Sequence, residues 1–473
     1  MLKIFEVLFQ DLTSNEVLVC NWKGYGDLSK HLNGEGDLDL FVPLEEKESF
    51  ENIAKNAGFR KVISYQANHK YLEHYYGLDL QTLKFAHVHV YFKIVTGEHI
   101  SKNYVLPIDN YLIRNIENST VIPTINEKAK LNIFLIRYFI KIGSFLGFIQ
   151  YFREYSKYSE EWIALESDQE LSEVAELGLS KELLNDMRDI YLGSNAVDKF
   201  LFSLALKRKL RGYKRKTYLP NLIYTFSSIF FRLLNKVFIK NKKMFQPGFV
   251  IAICGLDGSG KSSLVQSLNN LFSMHFSLKN FHLGRPSSTI LTFFINPVIR
   301  AYSALRRLNK KDREVRQERD RKISVIFILR SILLAYDRKQ EAKRAHKHAS
   351  KGYIVICDRY PGILEGKMDS PRIPFTADKG QIYNFFYRLE NKLYNSIQPA
   401  HAIYQLTVPL EISIERNNLR DKFGKETEQE LRERFAINQD AVFLSEIYHP
   451  IDATLPIEKV KFEVTKMIWQ QYI

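Results

Sequence analysis

The chain has 473 residues, of which 45% are hydrophobic, and it carries a formal net charge of +15. The length predicts two or three domains, and the apolar content excludes a chain that stays disordered. The three cysteines, Cys20, Cys254 and Cys357, are far apart in the sequence, which argues against a disulfide framework or a zinc site and favours a reducing cytoplasm. The positive charge favours acidic partners, with nucleotides and phosphorylated sugars ahead of nucleic acid.

The sequence contains no uncharged apolar run long enough to cross a membrane, and its N-terminus lacks the cleavage region of a signal peptide. The longest apolar stretches, Leu131–Phe152 and Leu219–Phe231, contain basic residues or are flanked by them, and we interpret both as helices buried in a domain. Peripheral docking of the second stretch on an anionic membrane surface stays as an alternative.

The first segment, residues 1–107, is rich in short β-like runs that are separated by turn-forming residues such as Gly34 and Gly36. The predicted strands are Glu16–Cys20, Leu38–Val42, Lys61–Tyr65 and Phe85–Val95. We therefore expect a small α+β domain built on a mixed sheet.

The second segment, residues 108–220, shows the apolar spacing of packed helices. The predicted helices are Lys130–Phe152, Ser167–Leu177 and Ser180–Leu192. Ser180 stands where an N-cap residue would begin the third helix. A basic run, Lys207–Lys216, then leads into a linker helix over residues 221–248. We interpret the basic run as a solvated face, with contact to phosphate or lipid as the alternative.

The third segment, residues 249–473, alternates apolar strands with long helical stretches, which is the pattern of a parallel sheet. The predicted strands are Phe249–Cys254, Tyr353–Cys357 and Ala402–Val408. We therefore assign the chain to the α/β class. We expect helices on both faces of this sheet, preceded by the small α+β domain and the helical region.

A phosphate-binding motif lies directly after the first of these strands. Residues 255–262 read Gly-Leu-Asp-Gly-Ser-Gly-Lys-Ser and match the Walker A pattern GxxxxGK[ST], and an amphipathic helical stretch follows them. The glycines let the backbone turn its N–H groups inward, and the helix N-terminus adds a partial positive charge. Lys261 can bridge the β- and γ-phosphates of ATP, and the Ser262 hydroxyl can hold Mg²⁺. The predicted ATP-binding residues are Gly255, Asp257, Gly258, Ser259, Gly260, Lys261, Ser262 and Ser263.

Two motifs resemble the thymidylate kinase family over about residues 249–472. The first is this loop, which resembles the family's xDGxGKSS/T pattern, and the second is Gly352–Tyr360, a strand that ends in Asp-Arg-Tyr. The resemblance implies a P-loop kinase fold that transfers the γ-phosphoryl group of ATP. It implies that Arg359 binds a phosphate of the acceptor and that Asp257 contacts an acceptor hydroxyl. Asp358, at the carboxyl end of a strand, is placed to hold Mg²⁺.

A basic segment after the third predicted strand is a candidate lid. Arg416 and Arg420 are one helical turn apart, and Lys422 and Lys425 follow in a polar stretch. Such a lid would cover the transferring phosphate and stabilise its charge, whereas a solvent-facing helix is the alternative. The predicted catalytic residues are Lys261, Asp358, Arg359, Arg416 and Arg420.

The chain departs from the thymidylate kinase pattern after Asp-Arg-Tyr. Residues 361–373, with Asp369 and Arg372, resemble kinase-like proteins linked to bacterial surface-polysaccharide pathways. The acceptor therefore stays open among a nucleotide, a sugar and a glycan. Basic and aromatic residues before the Asp358 strand either line the acceptor site or belong to an ordinary amphipathic helix. These residues are Tyr336, Arg338, Lys339, Arg344 and His346.

A second resemblance lies in the first segment. Lys23-Gly24, followed by Asp37-Leu38-Asp39 on an apolar strand, resembles the nucleotidyltransferase superfamily, in which the carboxylates of Asp37 and Asp39 would share Mg²⁺. The chain departs from that pattern at Tyr25, where a serine or glycine would help to bind phosphate, and it shows no evident third carboxylate. A later predicted strand places alternating polar side chains on one face, at His87, His89, Tyr91 and Lys93. That face is open to four interpretations: a replacement for the missing carboxylate, a metal site, a site for a phosphorylated substrate, or a solvated surface.

These patterns predict a phosphotransferase that depends on ATP and Mg²⁺ and acts on a small-molecule acceptor. One alternative is nucleotidyl transfer at Asp37 and Asp39, with the ATP-binding domain in support. Another is a module that closes on ATP and recruits partners without catalysis. The resemblance to thymidylate kinases also leaves a homodimer open.

Overall fold

The structure is a computed structural model of the chain, and it describes residues 1–64, 69–98, 101–118, 122–143, 145–165, 169–215, 223, 226–227, 230, 242–289, 292–295, 297, 325–376, 380–418 and 427–472. The chain divides into two compact units, Met1–Phe245 and Gln246–Tyr472. The division falls close to residue 249, where the third segment was predicted to begin. The first unit contains both of the segments predicted before the linker.

A mixed sheet runs through the first unit. Its strands in the described part of the chain are β1 (Cys20–Asn21), β2 (Asp37–Phe41), β3 (Phe59–Ile63), β4 (Leu72–Leu78), β5 (Phe85–Tyr91), β8 (Ile116–Asn118), β9 (Pro123–Ile125) and β10 (Lys243–Met244). They lie in the order β10-β3-β4-β5-β2-β1-β9-β8, and β6 (Ile94–Thr96) pairs with β7 (Tyr104–Leu106) in a separate hairpin. β2 and β5 are parallel neighbours, so Asp37 lies opposite His87 and Asp39 lies opposite His89.

The helices of the first unit form two cores. The described helices are α1 (Lys3–Ser14), α2 (Leu28–Leu32), α3 (Lys47–Asn56), α4 (Asp109–Arg114), α5 (Glu127–Ile142), α6 (Phe145–Ile163), α7 (Lys181–Gly193) and α8 (Ala196–Lys209). Phe5 of α1 and Phe50 of α3 share one core with Leu38 of β2, so these helices cover one face of the sheet. A second core joins helices α5, α7 and α8 to Phe41 and Tyr91, which belong to the opposite face.

Two predicted helices differ from the structure. Lys130–Phe152 is not one helix, because α5 ends at Ile142 and α6 begins at Phe145. Ser167–Leu177 was expected to be helical, but in its described part only Ala175–Leu177 form a short 3-10 helix. This helix lies inside a tight turn in which Val174 and Leu179 exchange backbone hydrogen bonds of 2.9 and 3.2 Å. Gly178 closes this turn with a φ of +62°, a conformation that glycine adopts without strain. The apolar spacing that suggested a helix instead serves to bury side chains from a turn. The neighbouring prediction is confirmed, because Ser180 caps α7 and accepts a hydrogen bond from the Leu183 N–H.

The second unit contains a sheet whose five described strands are all parallel. They are β11 (Val250–Gly255), β12 (Leu278–His282), β13 (Ile354–Asp358), β14 (Ala400–Thr407) and β15 (Ser445–Asp452), in the order β12-β13-β11-β14-β15. The described helices are α9 (Lys261–Ser273), α10 (Val325–Ala349), α11 (Gln381–Asn395), α12 (Leu410–Asn418), α13 (Glu428–Asn438) and α14 (Ile457–Tyr472). The prediction of an α/β unit with a parallel sheet is therefore confirmed.

β11 is the central strand of this sheet and is buried along its whole length. Its continuous apolar sequence follows from this position, because a strand between covered faces needs apolar side chains on both sides. Val250 and Cys254 share a buried core with Ala342 and Ala345 of α10. Since all strands run in one direction, the carboxyl ends of β11 and its neighbour β13 meet at the same edge of the sheet.

None of the described helices is both long enough and apolar enough to span a lipid bilayer. Most of the apolar stretch 219–231 and of the predicted linker helix 221–248 lies outside the described residues.

Candidate active site

The glycine-rich loop joins β11 to α9, which is the arrangement that its motif predicts. β11 ends at Gly255, and α9 begins at Lys261. Gly255, Gly258 and Gly260 have φ angles of +144°, +89° and +92°, a region that residues with a side chain rarely adopt. The backbone of the loop therefore depends on glycine at these positions.

Two of these glycines are closely packed against neighbouring residues, whereas the third is not. A Cβ atom at Gly258 would lie 2.5 Å from the Oγ of Ser413 and 2.9 Å from its carbonyl oxygen, and one at Gly255 would lie 2.6 Å from the carbonyl oxygen of Leu406. At Gly260, a Cβ atom would meet no described atom within 4 Å. The loop is thus closely packed at its first two glycines and open at Gly260, directly before the N-terminus of α9.

Lys261 lies at the first position of α9, and its buried side chain folds back over its own loop. Its Nζ donates a hydrogen bond of 2.7 Å to the carbonyl oxygen of Leu256 and lies 3.7 Å from Oδ1 of Asp257. Burial, followed by repulsion from Arg359, lowers the pKa of Lys261 to about 8, although Asp257 and Asp358 oppose this shift. A bound phosphate would favour the charged lysine, so protonation and phosphate binding are linked at this residue.

The serines of the loop differ in exposure. Ser262 and Ser263 are exposed in the first turn of α9, where backbone N–H groups have no partner within the helix. Ser259 is buried, and its Oγ has no hydrogen-bond partner among the described residues. An unpaired buried hydroxyl is unfavourable, so a ligand that supplied a partner to Ser259 would gain from doing so.

Asp358 is the last residue of β13 and lies at the same edge of the sheet as the loop. It is in register with Ile253 of β11, so its carboxylate stands one strand away from the start of the loop. The side chain is 24% exposed, and the nearest described basic group is His282, whose Nε2 lies 3.9 Å from Oδ2 of Asp358. His282 ends β12, the next strand along, and no sequence motif marks it as a site residue.

Arg359 connects the strand end to the loop. Its Nη2 lies 2.8 Å from Oδ1 of Asp257, and its Nη1 lies 3.5 Å from Oδ2 of Asp369. Burial alone would lower the pKa of Arg359, but Asp369, Asp257 and Asp358 outweigh burial and hold that pKa above its ordinary value. The path of this side chain requires glycine at position 284, because a Cβ atom there would lie 2.5 Å from Cδ of Arg359.

A second arginine, Arg338, is fully buried and fixes the loop that carries Asp369. It donates hydrogen bonds to Oδ1 of Asp369 and to the Tyr394 hydroxyl, and to the carbonyl oxygens of Leu283 and Gly284. Arg338 was predicted either to line the acceptor site or to belong to an ordinary amphipathic helix. The structure shows a buried anchor instead, which reaches the candidate site through Asp369.

Two contacts on the loop involve residues that lie in no recognised sequence motif. Nη1 of Arg434 lies 2.9 Å from Oδ2 of Asp257, and the Ser413 hydroxyl donates to the Asp257 carbonyl oxygen. Arg434 belongs to α13, whose start is marked by a capping box at Thr427 and Glu430. That pattern predicts where α13 begins, but nothing local in a charge-rich helix indicates which arginine reaches the loop.

The candidate lid is described only in part. Arg416 lies in α12, is partly buried, and makes no hydrogen bond or ion pair with another residue in the described part of the chain. Arg420, Lys422 and Lys425 lie outside the described residues.

The carboxylates of Asp37 and Asp39 lie in the first unit, on one face of its sheet. Two rows of side chains cross three neighbouring strands there: Asp37, His87 and Tyr76 form one row, and Asp39, His89 and His74 form the other. We call these six residues the histidine face. Leu38, between the two aspartates, points to the opposite face and into the core of α1 and α3.

Both aspartates of the histidine face are paired with basic groups. Asp37 Oδ1 contacts Nδ1 of His87, and Nζ of Lys23 lies 2.9 Å from Oδ1 of Asp39. Burial opposes the charged carboxylates, but these neighbours outweigh it and hold the pKa of Asp37 and of Asp39 well below the usual range. Burial also lowers the pKa of His87 to about 3, so this imidazole is neutral.

Comparison with known proteins finds relatives named for ATP binding. No family model matches the chain. It is 26% identical over 217 residues to the uncharacterized ATP-binding protein YghS of Escherichia coli K12, a match that covers 45% of this chain and 90% of YghS. It is 24% identical over 192 residues to the uncharacterized ATP-binding protein YghR of the same strain, which covers 38% of this chain and 76% of YghR.

Proposed function

We propose that the second unit binds ATP with Mg²⁺ on residues 255–263 and transfers the γ-phosphoryl group of ATP to an acceptor. The observation that carries this proposal is the position of Lys261. It is a buried lysine at the N-terminus of α9, behind a loop of positive-φ glycines, at the sheet edge where Asp358 also ends its strand. The ATP-binding names of YghS and YghR support the choice of nucleotide.

In this proposal each loop residue has a separate task. The backbone N–H groups around Gly260 and the N-terminus of α9 hold the phosphates, because the space beside Gly260 is open. Lys261 exchanges its bond to the Leu256 carbonyl for the β- and γ-phosphates. The exposed Ser262 hydroxyl and the Asp358 carboxylate hold Mg²⁺ directly or through water, and the ion neutralises charge on the phosphates.

The acceptor side of the site is built around Asp257. Arg359 and Arg434 both contact its carboxylate, and a phosphate or carboxylate on the acceptor could replace it as their partner. Arg359 is held in place by Asp369 and, through it, by Arg338. The acceptor is a nucleotide, a sugar or a glycan, and the resemblance of residues 361–373 to polysaccharide-linked kinases favours a bacterial surface-polysaccharide substrate.

Catalysis in such a site requires little covalent participation by the protein. Phosphoryl transfer is accelerated mainly by in-line positioning and by stabilisation of the charge on the transferring group. Lys261 supplies positive charge from the loop, and Arg416 and Arg420 would supply it from the lid.

The test is transfer of label from γ-labelled ATP-Mg²⁺ to a panel of nucleoside monophosphates, sugar phosphates and free glycans. We expect one acceptor class to be labelled by the full chain and by Lys343→Met, since Lys343 is an exposed lysine of the same unit. We expect labelling to be lost in Lys261→Met. Labelling that survives in Lys261→Met, or no labelling of any acceptor while ATP is bound, would overturn the assignment as a kinase.

Nucleotidyl transfer in the first unit is a second candidate, because Asp37 and Asp39 share one face of a strand as that chemistry requires. We rank it below the kinase because Lys23 and His89 already contact Oδ1 of Asp39. The two are separated by α-labelled ATP: transfer of the nucleotidyl group that is lost in Asp39→Asn and kept in Lys261→Met would favour the second.

A further inference from the structure

The histidine face contains imidazoles whose hydrogen bonds determine which ring nitrogen carries the lone pair. Nδ1 of His87 contacts Oδ1 of Asp37, and Nδ1 of His89 lies 3.3 Å from Oδ1 of Asp39. Nε2 of His89 lies farther from a carboxylate, 3.6 Å from Oδ2 of Asp37, which is beyond hydrogen-bond distance. A carboxylate accepts a hydrogen bond, so each of these Nδ1 atoms carries the proton. The lone pair of each ring is therefore on Nε2.

These nitrogens converge with a third histidine from β4. Nε2 of His87 lies 3.4 Å from Nδ1 of His74, and one ring nitrogen from each of His74, His87 and His89 falls within 4.8 Å of the others. Nitrogens bound tetrahedrally to one zinc ion are about 3.3 Å apart, given Zn–N bonds of about 2.0–2.1 Å. One pair already has about this separation, and the His89 nitrogen lies within 4.8 Å of both members of that pair.

Burial adds an independent indication. His74 is 6% exposed, and its Nε2 has no hydrogen-bond partner in the described part of the chain. The nitrogen of this buried ring that faces the cluster, Nδ1, has the Nε2 atom of another imidazole opposite it, and a cation shared by these two nitrogens would bind both of them.

We propose that His74, His87 and His89 bind one divalent transition-metal ion of the Zn²⁺ class, with Asp37 and Asp39 orienting two of the rings. Metal-binding histidines usually donate their other N–H to a carboxylate, which fixes the ring and makes the ligating nitrogen more basic. His87 with Asp37 and His89 with Asp39 reproduce this arrangement twice on adjacent rows of one sheet.

The ligand set determines the class of metal. Imidazole suits Zn²⁺, Ni²⁺, Cu²⁺ and Fe²⁺, whereas Mg²⁺ prefers oxygen ligands and retains water. Three protein ligands leave a fourth position of a tetrahedral ion for water or an anionic group. All three histidines belong to the first unit, whereas the proposed ATP site belongs to the second.

A lysine competes with the metal for the same lone pair. Nζ of Lys242 lies 3.1 Å from Nε2 of His87 and donates a hydrogen bond of 2.6 Å to the Tyr76 hydroxyl. A metal on His87 would displace this ammonium group and would be repelled by it. Replacing Lys242 by an uncharged residue of similar length should therefore tighten metal binding by about tenfold or more.

The test is a titration of the metal-stripped full chain with Co²⁺, whose visible absorption is intense when the ion is tetrahedral, followed by displacement with Zn²⁺. We expect one Co²⁺ per chain and loss of the absorption in His87→Gln and His89→Gln. His449→Gln serves as the control, because His449 lies in the second unit and contacts Gln471. Asp37→Asn should weaken Co²⁺ binding by roughly 10–100-fold, since it removes only the orienting carboxylate.

Circular dichroism establishes that each variant is folded. Lys242→Met leaves all three histidines in place, so it tests whether they bind a metal ion even if a histidine variant does not fold. Tighter Co²⁺ binding by Lys242→Met, with the absorption retained, supports the site. Octahedral Co²⁺ with weak absorption, equal binding by His87→Gln and His449→Gln, or unchanged affinity in Lys242→Met would overturn it.

Discussion

Replacing Arg338 by methionine should strongly destabilise the second unit. Arg338 is fully buried, and its guanidinium donates to Asp369, to Tyr394 and to two backbone carbonyl oxygens. Methionine fills most of the same volume but leaves Asp369, itself 8% exposed, with Arg359 at 3.5 Å as its remaining cation. The variant therefore tests the buried ion pair more than the packing around it.

The expected cost follows from the burial of the pair. Removing one partner of a buried ion pair costs about 3–5 kcal/mol, because the other charge is left without compensation. The matched control is Arg344→Met on the same helix, α10. Arg344 is 49% exposed and pairs with Glu341 at 3.1 Å, so its loss should cost about 0–1 kcal/mol.

Hydrogen exchange measured by mass spectrometry can follow this unit alone. The slowest amides of β11, which is buried throughout, exchange by global opening and report the stability of the second unit. We expect these amides in Arg338→Met to exchange about a hundredfold to several thousandfold faster, and in Arg344→Met at nearly the original rate. The first unit should be unaffected in both variants.

The double variant Arg338→Met/Asp369→Asn supplies the decisive comparison. Removing both charges costs less than leaving one charge buried without its partner, so the double variant should recover part of the stability that Arg338→Met loses. Equal exchange in Arg338→Met and Arg344→Met, or a double variant less stable than Arg338→Met, would refute the role given to this pair.

Three further predictions concern the loop and the histidine face. The pKa of Lys261 lies near 8 and its ordinary value is 10.5, so ATP binding at pH 8.5 should take up a proton, seen as a buffer-dependent heat in calorimetry that is absent in Lys261→Arg. Between about pH 8 and pH 10.5, Lys261 holds more protons in the unfolded chain than in the folded chain. The contribution of Lys261 to the free energy of unfolding of the unliganded protein therefore increases as pH rises across this range. Gly260→Ala should cost about 1–2 kcal/mol from its positive φ alone, and Gly258→Ala should cost more in urea denaturation because its Cβ also overlaps a neighbour. Lys23→Met should destabilise the first unit by about 3 kcal/mol. The stabilisation that comes from the lowered pKa of Asp39 is present above pH 3.8 and is lost as pH falls, so acid unfolding of Lys23→Met should begin at higher pH than in the unmodified chain.

The elements that the sequence predicted well are those with a local signal. β11, β13 and β14 lie within two residues of their predicted bounds, because buried parallel strands are continuous apolar runs. The glycine loop was found from its spacing, since each glycine meets a local backbone requirement.

Other elements depend on contacts that no local pattern contains. β12 and β15 are the edge strands of the parallel sheet, and their mixed polar sequences give no apolar run to detect. Arg338 is buried although its helix carries many charges, because a partner 31 residues away satisfies it. Arg434 reaches Asp257 across a still longer separation in sequence.

The alternation of side chains along a strand predicts only part of the histidine face. Alternation along β5 placed His87 and His89 on one face, which the structure confirms. The pattern could not supply His74, because its place beside His89 depends on the antiparallel register of β4 with β5. The contact of Lys242 with His87 could not be predicted either, because the two residues are 155 positions apart in the sequence.

Calorimetric titration of the full chain with ATP in the presence of Mg²⁺ tests the central claim most directly. We expect one ATP to bind per chain, binding to be lost in Lys261→Met, and binding to be unchanged in Lys343→Met. Failure of the unmodified chain to bind ATP, or equal binding by Lys261→Met, would contradict the assignment of residues 255–263 as the nucleotide site.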